Sequence, residues 1–129
     1  MSDNSNPNRE AVYIVAVDYS DSQIAAMMVL GLSGEGRLEQ SKLTVEQIID
    51  CLRGLSDNIA GELCKTAAID SVSGTVRIVN IRLYPRNKPK SLTTKRNDTD
   101  IDNLSELPSI SWMIQNPEYL HRLKTALFF

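Results

Sequence analysis

The chain is short of the residue types on which most reactive sites are built. It has 129 residues, with two cysteines, Cys51 and Cys64, and one histidine, His121. A structural zinc site wants about four Cys or His ligands, and these three are widely spread along the chain. Two cysteines make no disulfide framework, so a reducing cytoplasm is the expected setting. No apolar run approaches the ~20 residues that span a bilayer, and no membrane association is expected. The opening MSDNSNPNRE lacks the charged-then-apolar layout of a secretory signal. Charge of one sign is also missing: the formal net charge of −2 argues against a dedicated nucleic-acid or membrane-surface protein, which is usually strongly basic. The glycines of GLSGEGR are followed by no Gly-Lys-Ser/Thr, and the next helical pattern begins only after LEQSK. A hairpin loop, and no phosphate cradle, is expected there.

What is present is an ordinary globular pattern of the size of one domain. Residues 1–10 read as a flexible tail. AVYIVAVDYS then places Tyr13, Val15 and Val17 on one face and Val12, Ile14 and Ala16 on the other, which predicts a central strand. A polar turn leads to a second apolar strand over 24–32, rich in Ala and Met. LTVEQIIDCLRGL predicts a helix: Thr44 as N-cap, Gln47 completing a capping box, and Val45, Ile48, Ile49, Leu52 and Leu55 in one stripe. Cys51 sits beside Leu52 on that apolar side. GELCKTAAID and TVRIVNIRLYP read as strands, the latter stopped by Pro85, with SLTTK as a short strand beyond. NPEYLHRLKTALFF opens a last helix with Asn116 as N-cap and Pro117 at the first turn. The expected fold is α+β: an antiparallel sheet of about four to five strands, one face covered by the 44–55 helix, and an added C-terminal helix at the edge or over the same face. The domain is placed at 11–108 and the helical extension at 109–129.

The segment RNDTDIDNLSELP carries alternating Asp98, Asp100 and Asp102. Counted as a calcium loop from Asp98, the first three ligand positions are filled, but Asn103 stands at the glycine position and Ser109 where a bidentate Glu is needed. Asp and Asn side chains that bond their own backbone build turns equally well. The segment is read as structural, with no metal and no cofactor expected. Its wider frame, LTTKRNDTDIDNLSELP, resembles the close of a small bacterial and phage domain family known only as a domain of unknown function. Leu92, Thr94, Asn97, Asp98, Thr99, Asp102, Asn103, Leu104, Leu107 and Pro108 carry that likeness, with Leu43, Thr44, Glu46, Gln47 and Ile49 at the helix start. The resemblance covers about residues 11–108. It implies a shared fold and no activity, and the Met- and Ala-rich second strand departs from its pattern.

Three sites remain to be weighed. A thiol nucleophile needs a positioned base, and His121 could serve Cys64 only if the last helix folded back onto it. From Arg77 to Arg96 every charged residue is a cation. Arg82, Arg86, Lys88, Lys90, Lys95 and Arg96, with Tyr84 interleaved, form a strand–loop–strand unit that could bind phosphates or a nucleic-acid backbone; the plainer reading is a solvated hairpin. Four of the seven aromatic residues, Trp112, Tyr119, Phe128 and Phe129, lie in the last eighteen. With Leu120, Leu123 and Leu127 they either complete the core or offer an apolar face to a partner. The functional expectation is a non-enzymatic binding or regulatory module working through protein–protein contact or self-association at this helix, with anion or nucleic-acid binding through the basic unit as the alternative. No catalytic residue is assigned.

Overall fold

A computed structural model describes residues 11–20, 23–33, 35–52, 62–70, 72–84, 91–93 and 107–129. Strands β1 (Val12–Ser20), β2 (Gln23–Leu32) and β3 (Leu38–Leu43) are followed by helix α1 (Val45–Leu52). β4 (Cys64–Ile69), β5 (Val76–Asn80), β6 (Arg82–Tyr84) and β7 (Ser91–Thr93) come next, then α2 (Ile110–Gln115) and α3 (Pro117–Phe128). The main sheet has five strands in the order β3-β2-β1-β4-β5, and β6 and β7 pair separately. The α+β expectation holds, with one correction. The sheet is mixed, because β1 and β4 run parallel through Val12–Cys64, Tyr13–Lys65 and Ile14–Thr66. The intervening β2, β3 and α1 make the crossover that a parallel pair requires.

β1 is central, as its two apolar faces predict, but its alternation is broken. The pairing with β2 shifts between Ile14–Val29 and Ala16–Met28, which leaves Val15 as an extra residue. A bulge of this kind turns two successive side chains to one side. Ile14 and Val17 therefore face α1, while Tyr13, Val15 and Ala16 face the other way. A second shift, between Asp18–Ala26 and Tyr19–Ile24, leaves Ala25 extra on β2 and restores the count.

α1 starts as its sequence dictates. Thr44 N–H donates to Gln47 Oε1 at 2.8 Å and Gln47 N–H to Thr44 Oγ1 at 3.2 Å, a reciprocal capping box. Ile48, Ile49 and Leu52 are buried against Ile14, Val17, Met27 and Val29. Cys51 is exposed, which corrects its placement on the apolar side.

The opposite sheet face is covered by α2 and α3, not by α1. Ile110, Met113, Leu123, Leu127 and Phe128 pack on Tyr13, Val15, Met28, Leu30 and Ala67. The expectation of a C-terminal helix at the edge or over the α1 face is thus overturned. The sheet is apolar on both sides and needs a cover on each. Full burial of each leucine stabilises by roughly 1.5–3 kcal/mol.

TVRIVNIRLYP is not one strand. Ile81 lies between β5 and β6, its side chain buried in the α1-side core and its N–H donated to Cys64 O at 3.0 Å. From Arg82 on, the chain pairs with β7.

Candidate functional site: the C-terminal helical face

The seat of the C-terminal helices is a split in the sheet. The parallel pairing of β1 and β4 ends at Ile14–Thr66. Three residues further along each strand, the inward N–H groups take partners from the C-terminal segment. Val17 N–H donates to Pro108 O and Ile69 N–H to the Tyr119 hydroxyl, both at 2.9 Å. Asp70 N–H points to the β5 side, where it meets the O of Thr75, the residue before β5, at 2.8 Å, so by strand alternation Ile69 N–H must point toward β1. Residues 108–119 therefore close a gap that the two strands leave open, as a buried backbone donor demands.

The same segment is fastened at the start of α2. Ile110 N–H donates to Asp18 Oδ1 at 2.9 Å, and Trp112 N–H to the N-cap Ser109 Oγ at 3.1 Å. At the joint with α3, Asn116 occupies the N-cap position, but its side chain does not cap α3. Its Nδ2 donates back to Trp112 O at 2.7 Å. The Trp112 and Tyr119 rings meet edge to face, with centroids 5.0 Å apart and planes at 82°. Tyr13 and Phe128 make a second edge contact at 5.7 Å, inside the core.

The predicted partner residues divide on this geometry. Leu123, Leu127 and Phe128 are buried on the sheet, so for these three the core-completing reading describes the packing and the reading as an open face is corrected. Tyr119 and Leu120 are half-buried, and Trp112 is 41 % exposed. Ile114, which the sequence reading did not single out, is 64 % exposed on the same short helix as Trp112. The outer surface of α2 and the start of α3 thus hold a tryptophan fixed by a tyrosine, with an exposed isoleucine nearby in sequence.

No family model, curated protein or solved structure matches the chain.

Beside the aromatic pair, at the carboxyl end of β4, α3 and the β4–β5 turn leave a hollow of about 380 Å3 that includes Ile69, His121 and Arg122. Asp70 shapes the turn: its Oδ1 accepts from Val72 N–H at 2.7 Å and Ser73 N–H at 3.1 Å. These bonds hold its carboxyl below the usual carboxylate range. Gly74 follows with φ +74°, a conformation suited to glycine. Sequence reading missed the hollow because Arg122 is an isolated cation on a helix, and only SVSG marked the turn.

His121 is exposed on α3, whereas Cys64 is buried in the α1-side core, so the sheet separates the two. Burial, and secondarily Cys51, push the Cys64 thiol up to about 12, the direction opposite to that of a nucleophilic cysteine. Among the described residues no group of three or more His, Cys, Asp or Glu is placed to share a metal ion. Also among them, no helix is long and apolar enough to cross a membrane. Of the basic unit, Arg77 is exposed on β5, and Arg82 and Tyr84 lie in β6. Arg86, Lys88, Lys90, Lys95 and Arg96 lie outside the described residues, as does the acidic stretch from Asp98 to Glu106.

Proposed function

We propose that the chain is a non-enzymatic binding module that meets a protein partner, including a second copy of itself, through the outer face of the α2–α3 pair. The observation that supports this is Trp112. It is 41 % exposed, its backbone N–H is capped by Ser109, and its ring rests edge to face on Tyr119 at 5.0 Å. A half-exposed tryptophan already packed on a neighbouring ring has less side-chain freedom to lose on contact, which suits it as an interface anchor. Ile114 adds apolar area. Light scattering across a wide concentration range tests self-association. The parent chain is expected to form a dimer that Trp112→Ala and Ile114→Asn each weaken, with unchanged circular dichroism. A parent chain that stays monomeric at every concentration would exclude the second copy. The wider protein-partner reading is then tested with a photo-crosslinking residue at 114 against one at position 42 on β3, and equal yields would end it.

The alternative partner, a nucleic-acid backbone or other polyanion, draws support from the β6–β7 pairing. Tyr84 lies opposite Ser91 and Arg82 opposite Thr93, which places two members of the basic unit on one antiparallel strand pair. Oligonucleotide binding that fails to rise as salt is lowered would remove this reading.

A further inference from the structure

The hollow at the carboxyl end of β4 combines two features that call for one kind of ligand. The half-buried Ile69 and Val76 give it an apolar floor, and the exposed His121, Arg122, Thr125 and Ala126 line it from α3. A Cβ built on Gly74 would lie 4.0 Å from Arg122 Nη2, so the guanidinium reaches from α3 across to the turn. Among the described residues Arg122 has no ion-pair or hydrogen-bond partner. Asp70, the turn's own carboxylate, is engaged by the Val72 and Ser73 N–H groups. Glu118, four residues before Arg122 on α3, is the nearest helical neighbour that could compete. The volume of about 380 Å3 lies at the small end of ligand-sized clefts.

We infer that this hollow binds a carboxylate carried on a short apolar group. A guanidinium presents paired N–H donors at the spacing of carboxylate oxygens. The Thr125 hydroxyl and the His121 ring stand beside it as further hydrogen-bonding groups. The apolar floor takes the hydrocarbon part, and a single arginine over such a floor suits one charge better than the two of a phosphate. The carboxylate can come from a free small acid or from the terminus of a peptide ending in an apolar residue.

Amide spectra of the full-length, 15N-labelled chain test this with four probes. These are 4-methylpentanoate, its amide, N-acetyl-Gly-Leu with a free carboxyl, and the same dipeptide amidated. The free acids are expected to shift Gly74, Val76 and Ala126 saturably, and the amides to bind roughly tenfold more weakly or worse. Arg122→Gln should lose a similar factor, Ala126→Leu should block the hollow, and Glu118→Gln should bind at least as well as the parent. Shifts with both acids assign the peptide terminus as a competent source, and shifts with 4-methylpentanoate alone assign the free acid. Equal binding of acid and amide, an unaffected Arg122→Gln, or no saturable shift by about 50 mM would each overturn the inference. Trp112→Ala should leave these shifts intact, so loss of the aromatic interface and loss of the hollow are separately visible.

Discussion

Replacing Tyr119 by Phe removes one oxygen atom and leaves the ring. That oxygen accepts the Ile69 N–H at 2.9 Å, in a part-buried position where β4 has lost its β1 partner. Val17 is already engaged with Pro108, so no strand neighbour replaces the hydroxyl. The variant therefore strands a backbone donor, at a cost of about 1–2 kcal/mol. For a chain of this length that corresponds to a fall in Tm of about 3–8 °C. The Trp112–Tyr119 ring contact survives the change, so Trp112 fluorescence serves as an unbiased unfolding probe in urea. Hydrogen exchange at Ile69 supplies a local readout: loss of a ~1.4 kcal/mol restraint corresponds to about tenfold faster exchange there. If Tyr119→Phe melts with the parent and Ile69 remains equally protected, the hydroxyl does not fasten α3 to the split, and the description of this segment as a closure fails.

Other expectations follow from single contacts. A Cβ on Gly31 would lie 2.9 Å from Val12 Cγ1, so Gly31→Ala should destabilise by about 1–3 kcal/mol; adding Val12→Ala should recover much of that loss in urea titrations, and no recovery would refute the clash. Cys51 is exposed and Cys64 buried with its thiol pushed up to about 12. One thiol is therefore expected to react promptly with a chromogenic disulfide at neutral pH and the second only on unfolding, an idea sunk by two fast thiols. The Asp70 carboxyl is held low by the Ser73 and Val72 N–H groups. Its contribution to stability is present above its unfolded pKa of about 3.9 and is lost as pH falls through the lower folded value. Asp70→Asn, which keeps an acceptor for the turn, should flatten that part of the acid-unfolding curve; an unchanged curve would count against the assignment.

The parts of the fold that could be read from the chain are those in which local chemistry and burial agree. Thr44 and Gln47 announce α1 because the capping box lies within four residues, and the Val45–Leu52 stripe matches its buried face. β1 was legible as central because both its faces are apolar. Its true facing was not, since the extra residue at Val15 shows only in the register with β2. β3 escaped notice because LEQSKL is an edge strand with only Leu38 and Leu43 half-buried, and a polar edge resembles a loop. The break at Ile81 was hidden by unbroken β-branched sequence on either side. Parallel pairing of β1 with β4, and helices on opposite faces, depend on chain crossings that periodicity does not encode. At the candidate site the aromatic content of the last residues was plain. The division into buried Leu123, Leu127 and Phe128 and exposed Trp112 was not, because it depends on which way α3 crosses the sheet. Arg122 and Gly74 are 48 positions apart and meet only through folding.

The gap between β1 and β4 also has a consequence for the order of events during synthesis. The contacts that seal it join Asp18 to Ile110, Val17 to Pro108 and Ile69 to Tyr119, so strands made early must wait for residues made much later. Until then the Val17 and Ile69 amides lack these partners, and loops this wide close slowly. Acquisition of the native state is thereby coupled to arrival of residues 108–119, and a ribosome stalled before Pro108 would hold a sheet that cannot yet shut.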